Sequence, residues 1–337
     1  MDPVNYITLA TDASRPGDHD SLGNPTEDVD LLSNAAKDHL AARRHAQAEA
    51  LARRLITLWP GQIDGFESMA QVRAAGGDIP AARFFQHQAL MRARRFLADG
   101  SMDPELIEEL EAAYAALDVA AYDQSPIGAL VDALALSDEW PDPLLLRAIR
   151  RRAADAVAPL CALIQREVVA TATVEDPGVT WEADYASQLL VTLKRDGVPS
   201  ANTADVATDI ASLARLGNSG WLETLPALAQ GMGAVMVNPL GRLYFQRVPD
   251  YNMDSWLMDG IMRAAQTDSR ARLNAAVMLR DAFDELLPRC EPGRRISPEK
   301  VEANDLALKL RQLGDAHALS TLTALQNRPG PKPAATR

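Results

Sequence analysis

A glycine pair followed by an aspartate, Gly76-Gly77-Asp78, is the closest approach to a chemical motif in this sequence. Glycine loops cradle phosphates when they follow a strand and supply either a third glycine or a Gly-Lys-Ser/Thr cation and hydroxyl. Here no strand signal precedes the loop, the lysine is missing, and the Asp78 carboxylate would repel an anion. Glycine is favoured just past a helix end, and aspartate caps the start of the next helix. The motif therefore predicts a turn between two helices.

Histidine and cysteine give no pattern for a metal site or a nucleophile. A metal site needs three or four converging ligands, but the histidines lack a His or Cys partner one helical turn away. The cysteines, Cys161 and Cys290, are far apart, and no catalytic motif such as Gly-x-Ser-x-Gly occurs. We therefore expect no catalytic residue, no cofactor and no metal. The five histidines are His19, His39, His45, His87 and His317.

Carboxylates outnumber basic side chains, and 34 Lys and Arg against 46 Asp and Glu give a net charge of −12. That balance argues against a general nucleic-acid binder, because such proteins neutralise phosphates with basic side chains. Neighbouring acids such as Glu108-Glu109 and Asp138-Glu139 point about 100° apart on a helix. They therefore do not converge as an acid–base pair.

The acids concentrate between Phe96 and Leu146, where twelve of them occur without a Lys, Arg or His. Arginine clusters stand on either side, at 92–95 and at 147–152. Two interpretations stay open: the charges offset one another across neighbouring helices, or an acidic face with Glu108, Glu109 and Glu111 steers a basic partner. The twelve acids are Asp99, Asp103, Glu105, Glu108, Glu109, Glu111, Asp118, Asp123, Asp132, Asp138, Glu139 and Asp142.

The elements that must position these residues are helices. With 47% hydrophobic but only 5% aromatic residues, the composition favours packed helices over a sheet, which needs β-branched and aromatic side chains. Apolar residues recur at helical spacing between short Gly, Pro or Asp breaks, and no alternating strand or hairpin signal occurs. The sequence predicts an all-α fold, an α-solenoid of stacked antiparallel helical hairpins.

The two ends of the sequence lack apolar periodicity. Residues 1–28 predict a disordered acidic tail, and residues 327–337 predict a second disordered tail. The first residues have neither the basic start nor the apolar core of a secretory signal, so we expect a cytoplasmic protein. The segment 224–241 carries no charge over 18 residues, but Pro226, Pro239 and its glycines favour a buried helix pair over a membrane span.

Two segments of 34 residues, 29–62 and 63–96, can be superposed on each other. Small residues coincide where two helices would approach closely, since Ala36 falls on Ala70 and Ala48 on Ala82. With Gly77-Asp78 at its turn, the second segment resembles a tetratricopeptide repeat, and we extend the resemblance over 29–98. The first segment departs from the family pattern by an Ala-Arg-Arg at its turn. The matching positions are Phe66, Met69, Ala70, Ala82, Ala89 and Leu90 in the second segment, and Ala36, Ala48 and Pro60 in the first.

The tetratricopeptide resemblance implies helical hairpins with a concave face that binds partners. Inner-face candidates are Asn34, Lys37, Glu67 and Gln71. Some family members grip a carboxyl terminus with basic residues of the first helices. Ser33 and Glu67 stand at that point here, so we do not expect this ligand class.

Residues 142–326 resemble HEAT-type repeats, and acidic connecting helices would fill 99–141. The apolar residues of 142–169 recur at spacings of three and four, which lays one stripe along consecutive helices. The dipeptide Pro-Leu at 159 and again at 239 indicates first helical turns. The long insert 171–179 departs from the family pattern. The expected helix pairs are 142–153 with 155–169, 181–195 with 204–216, 221–233 with 239–247, 254–266 with 271–287, and 299–313 with 316–326.

Both resembled families work mainly as protein-binding scaffolds. We therefore expect a non-catalytic scaffold or adaptor that binds another protein or peptide, of basic character where the acidic segment is used, and no membrane. Its oligomeric state stays open. Two alternatives are a HEAT-like DNA-binding protein that uses the Arg147–Arg152 cluster, with Arg147, Arg150 and Arg151, and a HEAT-like lyase or chaperone that acts on a protein partner.

Overall fold

The structure is a computed structural model that describes residues 28–171, 181–216, 219–246, 251–290 and 297–326. Over these residues the chain forms sixteen α-helices and no strand, which confirms the all-α prediction. The predicted tails, apart from Asp28, lie outside the described residues, and so do 172–179 of the predicted insert. The solenoid and the predicted domain borders stay predictions.

The chain divides into two compact units. The described residues of unit 1 are 28–163 and 181–185, and those of unit 2 are 164–171 together with the described residues from 186 to 326. The helices of unit 1 are α1 Val29–Ala41, α2 His45–Leu58, α3 Asp64–Ala75, α4 Ile79–Ala98, α5 Pro104–Ala116, α6 Ile127–Ala135, α7 Pro143–Arg151 and most of α8 Ala154–Thr171, with a short 3₁₀ turn Ala121–Gln124 between α5 and α6.

The first four helices of unit 1 pack in chain order. Helix α1 lies against α2 and α3, α2 lies against α3, and α3 lies against α4. The small residues predicted at close approaches, Ala36, Ala48, Ala70 and Ala82, are all buried. Gly65 is required where α2 meets α3, because a Cβ atom there would lie 2.7 Å from the backbone nitrogen of Ile56.

The turn predicted at Gly76-Gly77-Asp78 is confirmed. Gly77 has a φ of +79°, which glycine adopts without steric cost, and the Asp78 side chain accepts a hydrogen bond from Ala81 N at 3.3 Å to cap α4. Arg43 takes the corresponding left-handed position between α1 and α2, with a φ of +56°. The Leu-Gly-Asp turn near the end of the chain follows the same rule, with a φ of +101° at Gly314.

Unit 2 contains the remaining helices, which begin and end within a few residues of the expected ones. Its helices are α9 Trp181–Arg195, whose first turn belongs to unit 1, α10 Ala204–Ser212, α11 Ser219–Met232, α12 Ala234–Gln246, α13 Tyr251–Ala265, α14 Ser269–Leu286, α15 Pro298–Gln312 and α16 His317–Gln326. Short 3₁₀ turns occupy Pro199–Ala201, Leu213–Leu216 and Leu287–Arg289.

One predicted helix pair is wrong. Helix α11 packs mainly against α13 and makes few contacts with α12, its expected partner. The reason lies at Gly260 of α13, where a Cβ atom would lie 3.5 Å from the Ala229 Cβ of α11 and 2.9 Å from Leu240 of α12. The missing side chain lets α13 approach both helices. On the other side, α10, α12 and α14 contact one another in succession.

Three prolines that were expected to begin or interrupt helices lie inside them instead. Pro159 and Pro239 lie one turn beyond the first turns of α8 and α12, and Pro226 lies within α11. A proline inside a helix removes a backbone hydrogen bond, and burial of the Pro226 and Pro239 rings offsets part of that cost. The segment 224–241 does form parts of two helices, divided at Gly233. None of the described helices is long and apolar enough to cross a membrane.

Candidate functional site

Helix α4 buries an unusual set of side chains in unit 1. A buried polar group costs free energy unless it is hydrogen bonded, so each of these side chains depends on the helices and turns around α4. The buried charged and polar residues of α4 are Arg83, Gln86, His87, Gln88 and Arg92. Arg83 and His87 lie in a cluster around Asp142, and Gln88 lies in one around Arg92, whereas Gln86 donates to Leu110 O at 3.3 Å.

Asp142 has no exposed surface and organises the first cluster. Its Oδ1 accepts hydrogen bonds from Tyr114 Oη at 2.9 Å and from Leu144 N at 2.8 Å, and its Oδ2 accepts one from Tyr122 Oη at 3.0 Å. Arg83 Nε lies 3.3 Å from Oδ2, and the guanidinium carbon lies 4.0 Å from the centroid of the Tyr114 ring. One carboxylate thus joins α4, α5, the 3₁₀ turn and α7.

Protonation states in this cluster follow from burial. Desolvation, with Asp142 close by, raises the pKa of Tyr114 to about 12 and that of Tyr122 well above the ordinary tyrosine value. His87, whose ring centroid lies 5.5 Å from that of Tyr114, has a lowered pKa, chiefly because burial disfavours the charged imidazole. Both tyrosines therefore keep their protons near neutral pH and donate them to Asp142 in hydrogen bonds.

Arg92 forms the second cluster and uses all of its donor nitrogens. Nε donates to Pro60 O at 2.8 Å, Nη1 donates to Gln88 Oε1 at 2.8 Å, and Nη2 donates to Asp138 Oδ2 at 2.8 Å. The guanidinium lies 3.7 Å from the centroid of the Phe66 ring. Desolvation lowers the pKa of Arg92, and Asp138 opposes that shift. The guanidinium is thus fixed between α3, α4 and the loop before α7.

Ion pairs account for much of the acidic segment 96–146. Five of its twelve acids pair with arginines outside the segment, which favours the interpretation that the charges offset one another. Glu108 and Glu109 are exposed on α5, whereas Glu111 accepts a hydrogen bond from Arg94 at 2.6 Å. The steering of a basic partner by this face stays a prediction. The pairs are Arg83–Asp142, Arg92–Asp138, Arg94–Glu111, Arg95–Glu139 and Arg151–Asp123.

The inner-face candidates lie on two helices that contact each other. Asn34 and Lys37 are exposed on α1, while Glu67 and Gln71 are half-buried on α3 and hydrogen-bonded to each other at 3.1 Å. Their binding role stays a prediction.

The arginine cluster proposed for DNA is partly engaged by the protein itself. Arg147 and Arg150 are exposed on α7. Arg151 pairs with Asp123 at 3.1 Å, and Arg152 donates to the carbonyl oxygens of Asp123 and Ser125. Those contacts hold two of the four guanidinium groups against the 3₁₀ turn.

The Gly-Gly-Asp turn borders a cavity of about 870 Å³, but its backbone is not a phosphate cradle. The N–H groups of Gly76, Gly77 and Asp78 donate to the carbonyl oxygens of Val72, Ala74 and Arg73 at the end of α3, at 2.9 to 3.0 Å. Such donors are already used and cannot bind an anion. The nearby Arg73 pairs with Glu49 at 2.7 Å.

Unit 2 has a different kind of candidate, a groove along α8, α10, α12 and α14 that we call the unit 2 groove. It consists of two cavities of about 540 and 470 Å³, and Arg242 of α12 lines both of them. Phe245, Leu273 and Val277 border the second cavity with exposed fractions of 46%, 64% and 54%. Val169, also exposed, borders the first.

The unit 2 groove was not predicted from the sequence. A signal was present in α14, where Leu273 and Val277 stand one turn apart and are offset by two positions from the buried Ala271, Ala275 and Leu279. Two apolar stripes on one helix indicate a second packing surface. The groove forms only because α12 places Phe245 and Arg242 beside Leu273 and Val277.

Among the described residues no group of three or more His, Cys, Asp or Glu side chains could hold a metal ion. No protein-family model matches the chain, and comparisons with curated proteins and with solved structures give no match. The tetratricopeptide and HEAT resemblances therefore stay predictions, and the function has to be argued from the geometry.

Proposed function

We propose that this protein is a non-catalytic protein-binding module, and that the unit 2 groove is its main docking surface. One observation carries the proposal: Phe245, Leu273 and Val277 expose about half of their surface or more around one groove. Apolar residues of a helix normally face the core, and a contiguous exposed apolar patch with a polar rim is typical of protein-interaction sites.

Charge in the groove indicates the chemistry of the partner. Arg242 and Arg215 form no ion pair among the described residues, and Arg242 lies where the two cavities meet. Two carboxylates also line the groove: Asp209 accepts a hydrogen bond from Gln165 at 2.8 Å, and Asp281 borders the second cavity together with Arg242. A segment with apolar side chains on either side of a carboxylate would bury its apolar surface and neutralise Arg242.

The test is an affinity capture from the native host with matched baits. Arg242→Glu reverses the charge inside the groove, and Arg272→Glu makes the same change on an exposed position of α14 outside the residues that line it. We expect a protein that binds wild type and Arg272→Glu alike and binds Arg242→Glu about tenfold more weakly. Its minimal binding segment, measured by titration calorimetry, should be apolar with an acidic residue.

Retention of the same proteins by both charge-reversal baits would remove the groove from the proposal. A basic minimal segment would instead favour the acidic segment of unit 1. Nothing in the described geometry favours the DNA-binding or the lyase alternative, and both stay predictions.

A further inference from the structure

Another cavity of unit 1, distinct from the one at the Gly-Gly-Asp turn, lies beside two tryptophans. Its volume is about 610 Å³, within the usual range for ligand sites. Trp140 and Trp181 line it together with Phe96, and Asp99, Asp138 and Glu139 bring carboxylates to its wall. We call it the tryptophan pocket. Aromatic faces near carboxylates are the surroundings in which proteins bind organic cations.

Arg92 lines the tryptophan pocket and is already paired with Asp138. Each of its three nitrogens donates to an acceptor of the protein, at Pro60, Gln88 and Asp138, and its face lies against Phe66. Arg92 is therefore engaged by the protein itself. Asp138 is likewise occupied by this ion pair. The groups left for recognition are the two tryptophans, Asp99 and Glu139.

Arg95 of the chain itself makes the kind of contacts in this pocket that we expect of a bound cation. The guanidinium carbon of Arg95 lies 6.0 Å from the centroid of the Trp140 ring, and Arg95 Nη1 lies 3.8 Å from Glu139 Oε1. The Arg95 side chain is 67% exposed, and such exposed pairs contribute little to stability. An incoming cation could therefore displace Arg95 at little cost.

The tryptophan pocket is lined by three carboxylates and two arginines, so one carboxylate remains for a further cation. Arg92 pairs with Asp138 and Arg95 pairs with Glu139, while Asp99 forms no ion pair among the described residues. Trp140 and Trp181 make no ring contact with each other in the described part of the chain, so the space between them is not closed by stacking. We propose that the tryptophan pocket binds an alkylguanidinium group, such as the side chain of an arginine on a partner protein.

The test uses the full chain and titration calorimetry with acetyl-Gly-Arg-Gly-amide as the probe. The same peptide with citrulline in place of arginine is a neutral control of equal size, and we expect it not to bind. Agmatine tests the guanidinium alone: equal affinity shows that this group carries the recognition, and tighter binding of the peptide shows that the surrounding chain adds contacts. No binding by either guanidinium probe would overturn the proposal.

Two variants should weaken peptide binding. Trp181→Leu removes an exposed aromatic wall, and Asp99→Asn removes the unpaired charge without changing size. We expect each to lower the affinity about threefold to tenfold, as loss of one cation–π or charge contact would. Circular dichroism and the unfolding midpoint should match wild type, since both side chains are exposed. Unchanged affinity in both variants would place binding elsewhere.

The sharpest variant is Arg95→Gln, which should tighten binding because it removes the internal competitor. Its matched control is Arg94→Gln, which removes the same charge from the preceding residue of α4. This variant breaks the pair with Glu111 and leaves the pair of Arg95 with Glu139 intact. We expect Arg95→Gln to bind the peptide several-fold more tightly than Arg94→Gln does. Equal affinity of the two variants would overturn the proposed displacement of Arg95.

Discussion

Unit 1 buries charges along α4, whereas unit 2 has an apolar core and exposes apolar side chains in its groove. Among the buried polar and charged residues of the described chain, Ser187, Ser297 and Lys300 belong to unit 2, and the others belong to unit 1. Hydrogen-bonded charges are directional and fix the helices that carry them, while apolar packing is not directional. The clusters therefore fix the helices of unit 1, and the proposed docking surface of unit 2 consists of apolar side chains that its core leaves exposed.

Removal of the Asp142 carboxylate should have the largest effect on stability. Asp142→Ala leaves Arg83 and the Tyr122 hydroxyl buried, and the Tyr114 hydroxyl half-buried, without their partner, and such a loss costs about 3 to 5 kcal/mol of unfolding free energy. The control in unit 2 is Asp315→Ala, which breaks the partly exposed pair with Arg280 and the hydrogen bond from His317 N at the start of α16, and should cost about 1 to 2 kcal/mol. Urea unfolding followed by circular dichroism measures both. Equal losses would contradict the contrast between the two units.

Two residues of α14 that are two positions apart test the two faces of this helix. Leu279 is completely buried and Val277 is 54% exposed in the groove. Leu279→Ala should lower the free energy of unfolding by about 2 to 5 kcal/mol, because it leaves a cavity, and Val277→Ala should change it by about 0.5 kcal/mol or less. Partner binding should respond in the opposite order once a partner is known. A large stability loss in Val277→Ala would mean that the groove belongs to the core.

The pH dependence of stability should depend on His87 of unit 1. Burial lowers its pKa in the folded protein, with Arg83 and Arg94 in the same direction and Asp142 opposing. The unfolded chain therefore binds a proton at a higher pH than the folded chain does. The stability that depends on neutral His87 should be fully present above the pKa of histidine in the unfolded chain, about 6.5. It should fall as the pH drops from there through the pKa of His87 in the folded protein.

The variant His87→Gln should flatten the dependence of the unfolding free energy on pH below about pH 6.5. Urea unfolding at each pH measures this slope in His87→Gln and in wild type. A slope that is the same in His87→Gln and in wild type would show that His87 does not govern this range.

Local features were predictable from the sequence because their causes are local. Helix periodicity and caps place most helices within a few residues, and the turns at Gly77 and Gly314 follow from the need for a positive φ. The interior positions of Pro159 and Pro239 were not predictable in this way, because the packing that offsets a lost hydrogen bond is tertiary. The same holds for the contact of α11 with α13 across Gly260.

The candidate sites were less predictable than the helices, since they depend on contacts between distant residues. Arg83 and Asp142 are 59 positions apart in the sequence, and the pattern of charges alone did not distinguish a buried pair from an exposed one. The arginine cluster at 92–95 similarly contains one buried member, Arg92, beside two exposed ones. The charge pattern left two interpretations of the acidic segment open, and the five ion pairs with arginines of α4 and α7 favour the one in which the charges offset one another.

The smallest effect on stability is expected at Arg43, in the turn between α1 and α2 of unit 1. Arg43 of unit 1 has a φ of +56° where unit 2 has a glycine, Gly314, in its final turn. A side chain in the left-handed region costs about 1 to 2 kcal/mol, and glycine avoids that cost but loses more entropy on folding. Arg43→Gly should therefore raise the unfolding free energy by about 0.5 to 1 kcal/mol. Arg43→Ala separates strain from charge, because alanine removes the guanidinium but keeps the Cβ atom, so an equal gain in both variants would assign the effect to charge repulsion instead.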